Sequence, residues 1–427
     1  MSAFDKIIGY DSIKNELFQI CDMIQNKEKY TKIGASLPKG VILSGYPGLG
    51  KTMLSKAFIE QSGISSYTLR RNKGNGDFIE EITDVFEKAK ENAPCIVFLD
   101  DMDKFANEDR HHCDAEEYVA VQAGIDYVAD KEVFVIATVN DMEKLPKSLI
   151  RSGRFDRIIE IESPDEEDAA KIIEYYLSNK KVSTSINFED LAKMISYSSC
   201  AELETILNEA AISAAYKGKE CVEMSDLVSA VLREQYSSPD ETYITSDDDE
   251  TRSIAIHEAG HLVCSEVLCP GSVGLATIRP SMRGGKGGFI HRCKDLKRRP
   301  YYILVSLASK AAVELYYADH VASGCYRDLN NAVIGIREGL GESGTAGFET
   351  LDLVAGDFRH HSESFLSRHE AVTQALLEQY FMKARDIIIK NRDFLELVAD
   401  ELVKKGTLLY SDIKRIKETV TVTTFTV

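Results

Sequence analysis

The sequence has no tryptophan, no close cysteine pair of the Cys-x-x-Cys kind, and no apolar run near the ~18 residues that a membrane helix needs. The missing apolar run predicts a chain without a membrane span. Residues 1–29 carry regularly spaced charges, a pattern that fits neither a signal peptide nor a transit peptide. Nine cysteines are scattered without pattern, which predicts reduced thiols and a soluble, cytoplasmic protein. Cys95 and Cys264 lie in apolar stretches and are expected in the core. Positive charge is also scarce: 51 Lys and Arg face 69 Asp and Glu, for a formal net charge of −18. Such a chain is a poor candidate for wrapping nucleic acid or lying on an anionic membrane. The missing tryptophan excludes nothing.

What is present fits a soluble globular protein, with 44% hydrophobic and 28% charged residues. A length of 427 residues exceeds one ordinary core and predicts two to three domains. Residues 1–160 alternate short apolar runs (Val41 to Leu43, Cys95 to Leu99, Val133 to Ala137) with helical periodicity, as in Phe78 to Lys90. That alternation predicts an α/β domain with a parallel sheet. Residues 161–240 read as an all-helical domain, with periodic stretches at Glu166 to Asn179 and Ala201 to Tyr216. A linker containing Pro239 and the acidic run Asp247-Asp248-Asp249-Glu250 ends it. The acidic run suits the start of the next helix, where the helix dipole favours negative charge. Residues 241–427 read as a mainly helical domain, interrupted by a strand at Ala276 to Arg279 and a Gly-rich loop at Gly284 to Gly288.

Gly45-Tyr46-Pro47-Gly48-Leu49-Gly50-Lys51-Thr52 fits G-x-x-x-x-G-K-[ST], and it follows an apolar strand and opens a helix. The glycines let backbone N–H groups turn inward around phosphate oxygens. Lys51 is placed to reach the β- and γ-phosphates of ATP, and the Thr52 hydroxyl to coordinate Mg²⁺. Ile96 to Leu99 runs into Asp100-Asp101. Asp100 is the expected Mg²⁺-directed carboxylate and Asp101 the expected base for the attacking water. Asn140 ends the third apolar run, where it can orient that water. Arg151 and Arg154 follow in Arg-Ser-Gly-Arg-Phe-Asp, and arginines can stabilise charge on a transferring phosphoryl group from a neighbouring subunit.

His257-Glu258-Ala259-Gly260-His261 fits H-E-x-x-H. On a helix, positions i and i+4 project from one face, so both imidazoles can reach one zinc ion. Glu258 lies beside them and can take a proton from water. Catalytic zinc needs a third protein ligand, which spacing alone does not identify among many downstream carboxylates.

These residues together resemble the FtsH family of ATP-dependent zinc metalloproteases, AAA+ proteins fused to a peptidase domain. Gly45 to Thr52 resembles its Walker A, Ile96 to Asp103 its Walker B and Ile136 to Asn140 its sensor 1. Arg151 and Arg154 resemble its paired arginine fingers, and Asn208 to Ala211 its lid helix. His257 to His261 has the family's form of the zinc motif. Ser323 to Leu329 resembles the segment that supplies the third zinc ligand, which implies Asp328. The resemblance further implies a homo-hexameric ring that unfolds protein substrates and feeds them to the zinc sites.

Four departures stand out. The family usually begins with membrane spans, so this chain is either a soluble branch or a piece of a longer protein. Asp101 stands where the family has Glu; one methylene shorter, it is expected to place water less well. The family's aromatic pore triplet has no clear counterpart near Arg70-Arg71-Asn72-Lys73-Gly74, and Phe78 is the nearest aromatic substitute. Arg327 precedes Asp328 where the family has a small polar or amide residue. The altered pore segment and Arg327 motivate an alternative: an ATP-dependent remodelling chaperone with a weakly active or structural peptidase domain. Substrate backbone is expected to pair with an edge strand near Ala276 to Ile278.

Overall fold

The computed structural model describes residues 2–71, 75–106, 115–151, 153–238, 248–281, 287–317, 324–347, 350–351 and 362–425. They form two compact units, residues 1–180 with 197–207, and residues 181–196 with 208–427.

The first unit is built on a five-stranded parallel sheet. Its helices and strands are α1 (Asp11–Gln25), α2 (Lys27–Thr31), β1 (Gly40–Ser44), α3 (Lys51–Ser62), β2 (Ser65–Leu69), α4 (Asn75–Glu91), β3 (Cys95–Leu99), α5 (Ala115–Tyr127), β4 (Val133–Val139), β5 (Arg157–Glu160) and α6 (Glu166–Ser178). Strand order is β2-β3-β4-β1-β5, and every pairing is parallel. Side chains alternate across the sheet, so one sequence of apolar residues fills two cores. Val41, Leu43, Ile96, Phe98, Phe134 and Ile136 face Leu17 and Ile20 of α1 and Leu54 and Phe58 of α3. Ile42, Val97, Leu99, Val135 and Ala137 face Phe78, Ile82 and Phe86 of α4 and Val121 and Ile125 of α5. Each of these side chains larger than alanine contributes about 1.5–3 kcal/mol by leaving water. Cys95 is buried as expected.

Register matters more for the site than the core does. Leu99 lies opposite Ala137, and Ser44 lies opposite Val139. The central strands β3, β4 and β1 therefore finish together, and the residues just beyond them share one carboxyl edge of the sheet. That edge is where ligands bind in open parallel sheets.

The second unit contains α7 (Phe188–Met194), most of α8 (Cys200–Tyr216), α9 (Met224–Tyr236), α10 (Asp249–Leu268), β6 (Val273–Thr277), β7 (Phe289–Arg292), α11 (Arg299–Tyr316), α12 (Cys325–Ser343), α13 (Glu363–Lys390), α14 (Arg392–Lys405), β8 (Thr407–Leu409) and α15 (Tyr410–Thr419). The acidic run does start a helix: Asp248 caps α10 by accepting the Thr251 N–H at 2.7 Å, and Asp249 and Glu250 fill its first turn. Ala255, Leu262, Cys264, Leu304, Leu307, Ala308, Ile336, Ile388 and Val398 join α10 to α14 in one buried core. The three strands form an antiparallel sheet in the order β7-β6-β8. This order corrects the expectation of an edge near Ala276 to Ile278. Ala276 pairs with Ile290 on one side and Leu408 on the other, so β6 is the central strand. No described helix is long and apolar enough to cross a membrane.

Candidate nucleotide site and candidate metal centre

The segment Gly45 to Thr52 links β1 to α3 on the carboxyl edge of the parallel sheet. Gly45 has φ 146°, and a Cβ there would sit 2.2 Å from the Ile161 carbonyl oxygen, so only glycine fits. Lys51 is buried and donates to the Gly45 and Tyr46 carbonyls, each at 2.6 Å. Burial lowers its pKa, against the pull of Asp101, Asp103 and Asp100. Thr52 donates its hydroxyl to Asp100 Oδ1 at 2.9 Å, which ties the loop's far end to the end of β3. Asp100 is itself buried.

Asp101 sits in the left-handed region at φ 56°. Its Oδ1 accepts from Asn140 Nδ2 at 3.1 Å, and its Oδ2 from Lys104 Nζ at 2.7 Å. Burial opposes ionisation of this carboxyl, but Lys104, Asn140 and Arg70 together hold its pKa below the ordinary value. The structure thus brings Lys51, Thr52, Asp100, Asp101 and Asn140 together. A loop of positive-φ glycines, a lysine and a carboxylate-bound threonine hydroxyl is a set that fits a nucleotide triphosphate with Mg²⁺.

Three contributors escaped the sequence reading. Thr138 donates its hydroxyl to Asp100 Oδ1 at 2.9 Å and accepts the Asp101 N–H at 2.7 Å. Arg70 lies 3.8 Å from Asp100 and 3.7 Å from Asp101. Asp103 accepts the Asn140 N–H at 3.0 Å. Thr138 and Asp103 lie inside the segments Ile136 to Asn140 and Ile96 to Asp103, but nothing in the sequence marked their roles, and strands tolerate threonine for packing reasons alone.

The two arginines part company. Arg151 is exposed. Arg154 is 3% exposed and grips Asp126 of α5 with two bonds, Nε to Oδ1 at 2.8 Å and Nη2 to Oδ2 at 2.6 Å. Its Nη1 donates to the Ser148 carbonyl. Phe78 is fully buried against Phe105, ring centroids 5.2 Å apart, and so offers no grip on a substrate. Residues 72–74 of the neighbouring segment lie outside the described residues.

In the second unit, α10 carries His257, Glu258 and His261. The two imidazoles lie 4.9 Å apart, nearly perpendicular. Asp328, in the first turn of α12, points one carboxylate oxygen at both: Oδ2 is 3.2 Å from His257 Nε2 and 3.4 Å from His261 Nε2. One ligand atom from each residue lies within 4.8 Å of the others. Two imidazole nitrogens and a carboxylate oxygen are a set that fits zinc. His261 Nδ1 faces the Val305 carbonyl at 2.8 Å, which leaves Nε2 free to act as a ligand. Burial raises the Asp328 pKa, but hydrogen bonds from both histidines outweigh it and hold the carboxyl well below the usual range.

Glu258 is buried, and burial pushes its pKa up against the opposing pull of His261 and His257. The backbone N–H of Gly288, just before β7, bonds its carboxylate. Gly260 lets α10 and α11 touch: a Cβ there would sit 2.7 Å from the Ala308 carbonyl oxygen. Arg327 is exposed and does not enter this centre. Ser323 and most of the Gly284 to Gly288 loop lie outside the described residues.

Comparison with known families finds a match in each of two stretches of the chain. Residues 41–163 match the ATPase family associated with various cellular activities, and residues 244–416 match peptidase family M41. Relatives named ATP-dependent zinc metalloprotease FtsH include one from Leptotrichia buccalis, 31% identical over 444 residues. Others are from Mycoplasma pneumoniae, 31% over 446, and Thermus thermophilus, 30% over 450. Each alignment covers 97% of this chain, and 56%, 62% and 70% of the respective relative.

Proposed function

This chain belongs to the FtsH family of ATP-dependent zinc metalloproteases, and from that premise we propose that it is an ATP-dependent zinc metalloendopeptidase that unfolds and degrades proteins. The observation that carries the reading is the convergence of His257, His261 and Asp328 beside a buried Glu258, in a chain that also holds the Gly45 to Thr52 loop. The chain spans about three-fifths of the length of the first relatives it matches, so whole-protein activity and partners belong to this proposal.

His257, His261 and Asp328 would hold zinc, which supplies a Lewis acid for water and the scissile carbonyl. Glu258 receives the proton of the attacking water and returns it to the leaving amine. Its burial raises its proton affinity, the direction that favours that exchange. In the first unit, the loop from Gly45 to Gly50 offers its N–H groups to phosphate, and Lys51 adds a cation. Thr52 and Asp100 would hold Mg²⁺, which offsets charge on the transferring group. Asp101 draws the proton of the attacking water, and Asn140 orients it. Arg151 reaches the nucleotide of a neighbouring subunit in a homo-hexamer. Arg154 supports that segment from within, through Asp126.

The domain reading is three segments, 1–160, 161–240 and 241–427, as ATPase, helical lid and protease. Substrate backbone is assigned to the outer edge of β7 rather than to β6, because β7 pairs only with β6 among the described residues. Scattered cysteines support a cytoplasmic site of action. The chaperone alternative is kept as a second reading because Phe78, the aromatic nearest the altered pore segment, is buried and offers no grip on a substrate.

One preparation separates the readings. ATPase activity, degradation of a folded tagged protein and cleavage of unstructured casein are measured for wild type, Lys51→Ala and Glu258→Gln, with and without chelator. The protease reading expects casein cleavage that is lost with Glu258→Gln. It also expects folded-protein degradation lost with Lys51→Ala at unchanged zinc content. ATP-driven unfolding that persists without any casein cleavage would favour the chaperone.

A further inference from the structure

A histidine that binds metal is fixed through its other ring nitrogen, which needs a hydrogen-bond partner to set tautomer and ring orientation. The two histidines here meet that need differently. His261 uses the Val305 carbonyl at 2.8 Å. His257 Nδ1 instead faces Cys325 Sγ at 3.7 Å. Cys325 is 6% exposed and opens α12, three residues ahead of Asp328. One helical turn thus delivers both a ligand oxygen and the sulfur beside the first histidine.

We propose that Cys325 is a positioning residue for His257: its sulfur accepts the Nδ1–H, which holds the tautomer whose Nε2 lone pair faces Asp328 and zinc. The inference rests on the zinc reading above. The sulfur lies off Nδ1, on the ring edge away from Nε2. From there it supports the ring and does not join the ligand set. Sulfur is a weak acceptor, and 3.7 Å is a long contact. His257 is therefore the more loosely held of the two imidazoles, and the affinity of the centre depends on an oxidisable atom.

The experiment measures the zinc dissociation constant of the full chain by competition with a chromophoric chelator, for wild type, Cys325→Ser, Cys325→Ala and Cys325→Val. Serine keeps an acceptor, so Cys325→Ser is expected within a few-fold of wild type. Alanine and valine remove it, and each is expected to weaken zinc about tenfold or more. Valine, a little larger than cysteine, leaves no cavity, so it tests the acceptor even where alanine leaves a damaging one. Thermal unfolding of the zinc-free forms is expected to be alike for wild type, serine and valine. Wild-type affinity in both Cys325→Ala and Cys325→Val would overturn the assignment. A thiolate-to-cobalt charge-transfer band in the cobalt-loaded wild type would also overturn it, by making Cys325 a ligand. If wild type itself takes up no zinc, the zinc reading fails, and this inference with it.

Discussion

The Tyr236 hydroxyl lies 2.6 Å from His291 Nδ1. Ser196 Oγ lies 2.8 Å from the same ring's Nε2, and Tyr236 stacks on Phe289 at 4.2 Å. The end of α9 and the loop after α7 are thereby fastened to β7, the strand that begins one residue after Gly288. Burial lowers the His291 pKa from 6.5 to about 4, with Arg292 adding to the effect and the Lys193 backbone opposing it.

The unfolded chain thus takes up a proton between those two values that the folded chain refuses. The stability tied to His291 is present above about pH 6.5 and is lost as the pH falls through about 4. At about 1.4 kcal/mol per unit, the loss is about 3.5 kcal/mol at most. His291→Gln keeps polar contacts without titrating. Denaturant unfolding of zinc-free wild type and His291→Gln, at about pH 7.5 and about pH 5, is expected to show the larger acid loss in wild type. Equal losses would remove His291 as the cause.

Gly260→Ala is expected to push α10 off α11, because the new methyl would lie 2.7 Å from the Ala308 carbonyl oxygen and 2.9 Å from Ala312 Cβ. Overpacking of this kind costs about 1–3 kcal/mol. It also displaces His261 from Val305, so zinc affinity falls together with melting temperature. A variant that melts and binds zinc like wild type would show that the helices have room.

The arginines predict opposite outcomes. Arg154→Ala strips Asp126 of its partner and opens a buried space, for an expected destabilisation of about 1–3 kcal/mol. Arg151→Ala is expected to leave the melting temperature and nucleotide binding unchanged while ATP turnover is lost. Normal turnover in Arg151→Ala would refute its assignment to a neighbouring subunit's site.

Thr138→Val keeps shape near the carboxyl end of β4 but leaves the Asp101 N–H without its acceptor and takes a donor from Asp100. A buried polar group left unpaired costs about 1–3 kcal/mol. The expected result is a folded protein, destabilised by that amount, with weaker Mg²⁺ affinity and lower ATP turnover, measured by steady-state ATPase assay against Mg²⁺ concentration. Wild-type kinetics would mean that the hydroxyl serves packing alone.

Both candidate sites were legible in the sequence where chemistry demands fixed local spacing. Gly45 to Thr52 and His257 to His261 are each a single turn or loop, so their geometry follows from the residues between them. The apolar runs that became β1, β3 and β4 were legible because a central strand must be apolar on both faces. β2 was not, because Ser65–Leu69 lies at the sheet edge, mostly partly or fully exposed, where polar residues are tolerated. The strand at Ala276 was visible, but its neighbours were not: pairing with β8 joins residues more than a hundred positions apart.

Sequence by itself therefore determined the two local motifs, the central strands and the long helices, since each depends on neighbours a few residues away. Only the tertiary structure decided that Asp328 points at both histidines, that Thr138 joins Asp100 to Asp101, and that Cys325 faces His257. It also decided that Arg154 and Phe78 are buried. Those relations arise where distant segments pack, and a residue's spacing along the chain carries no record of what it will meet there.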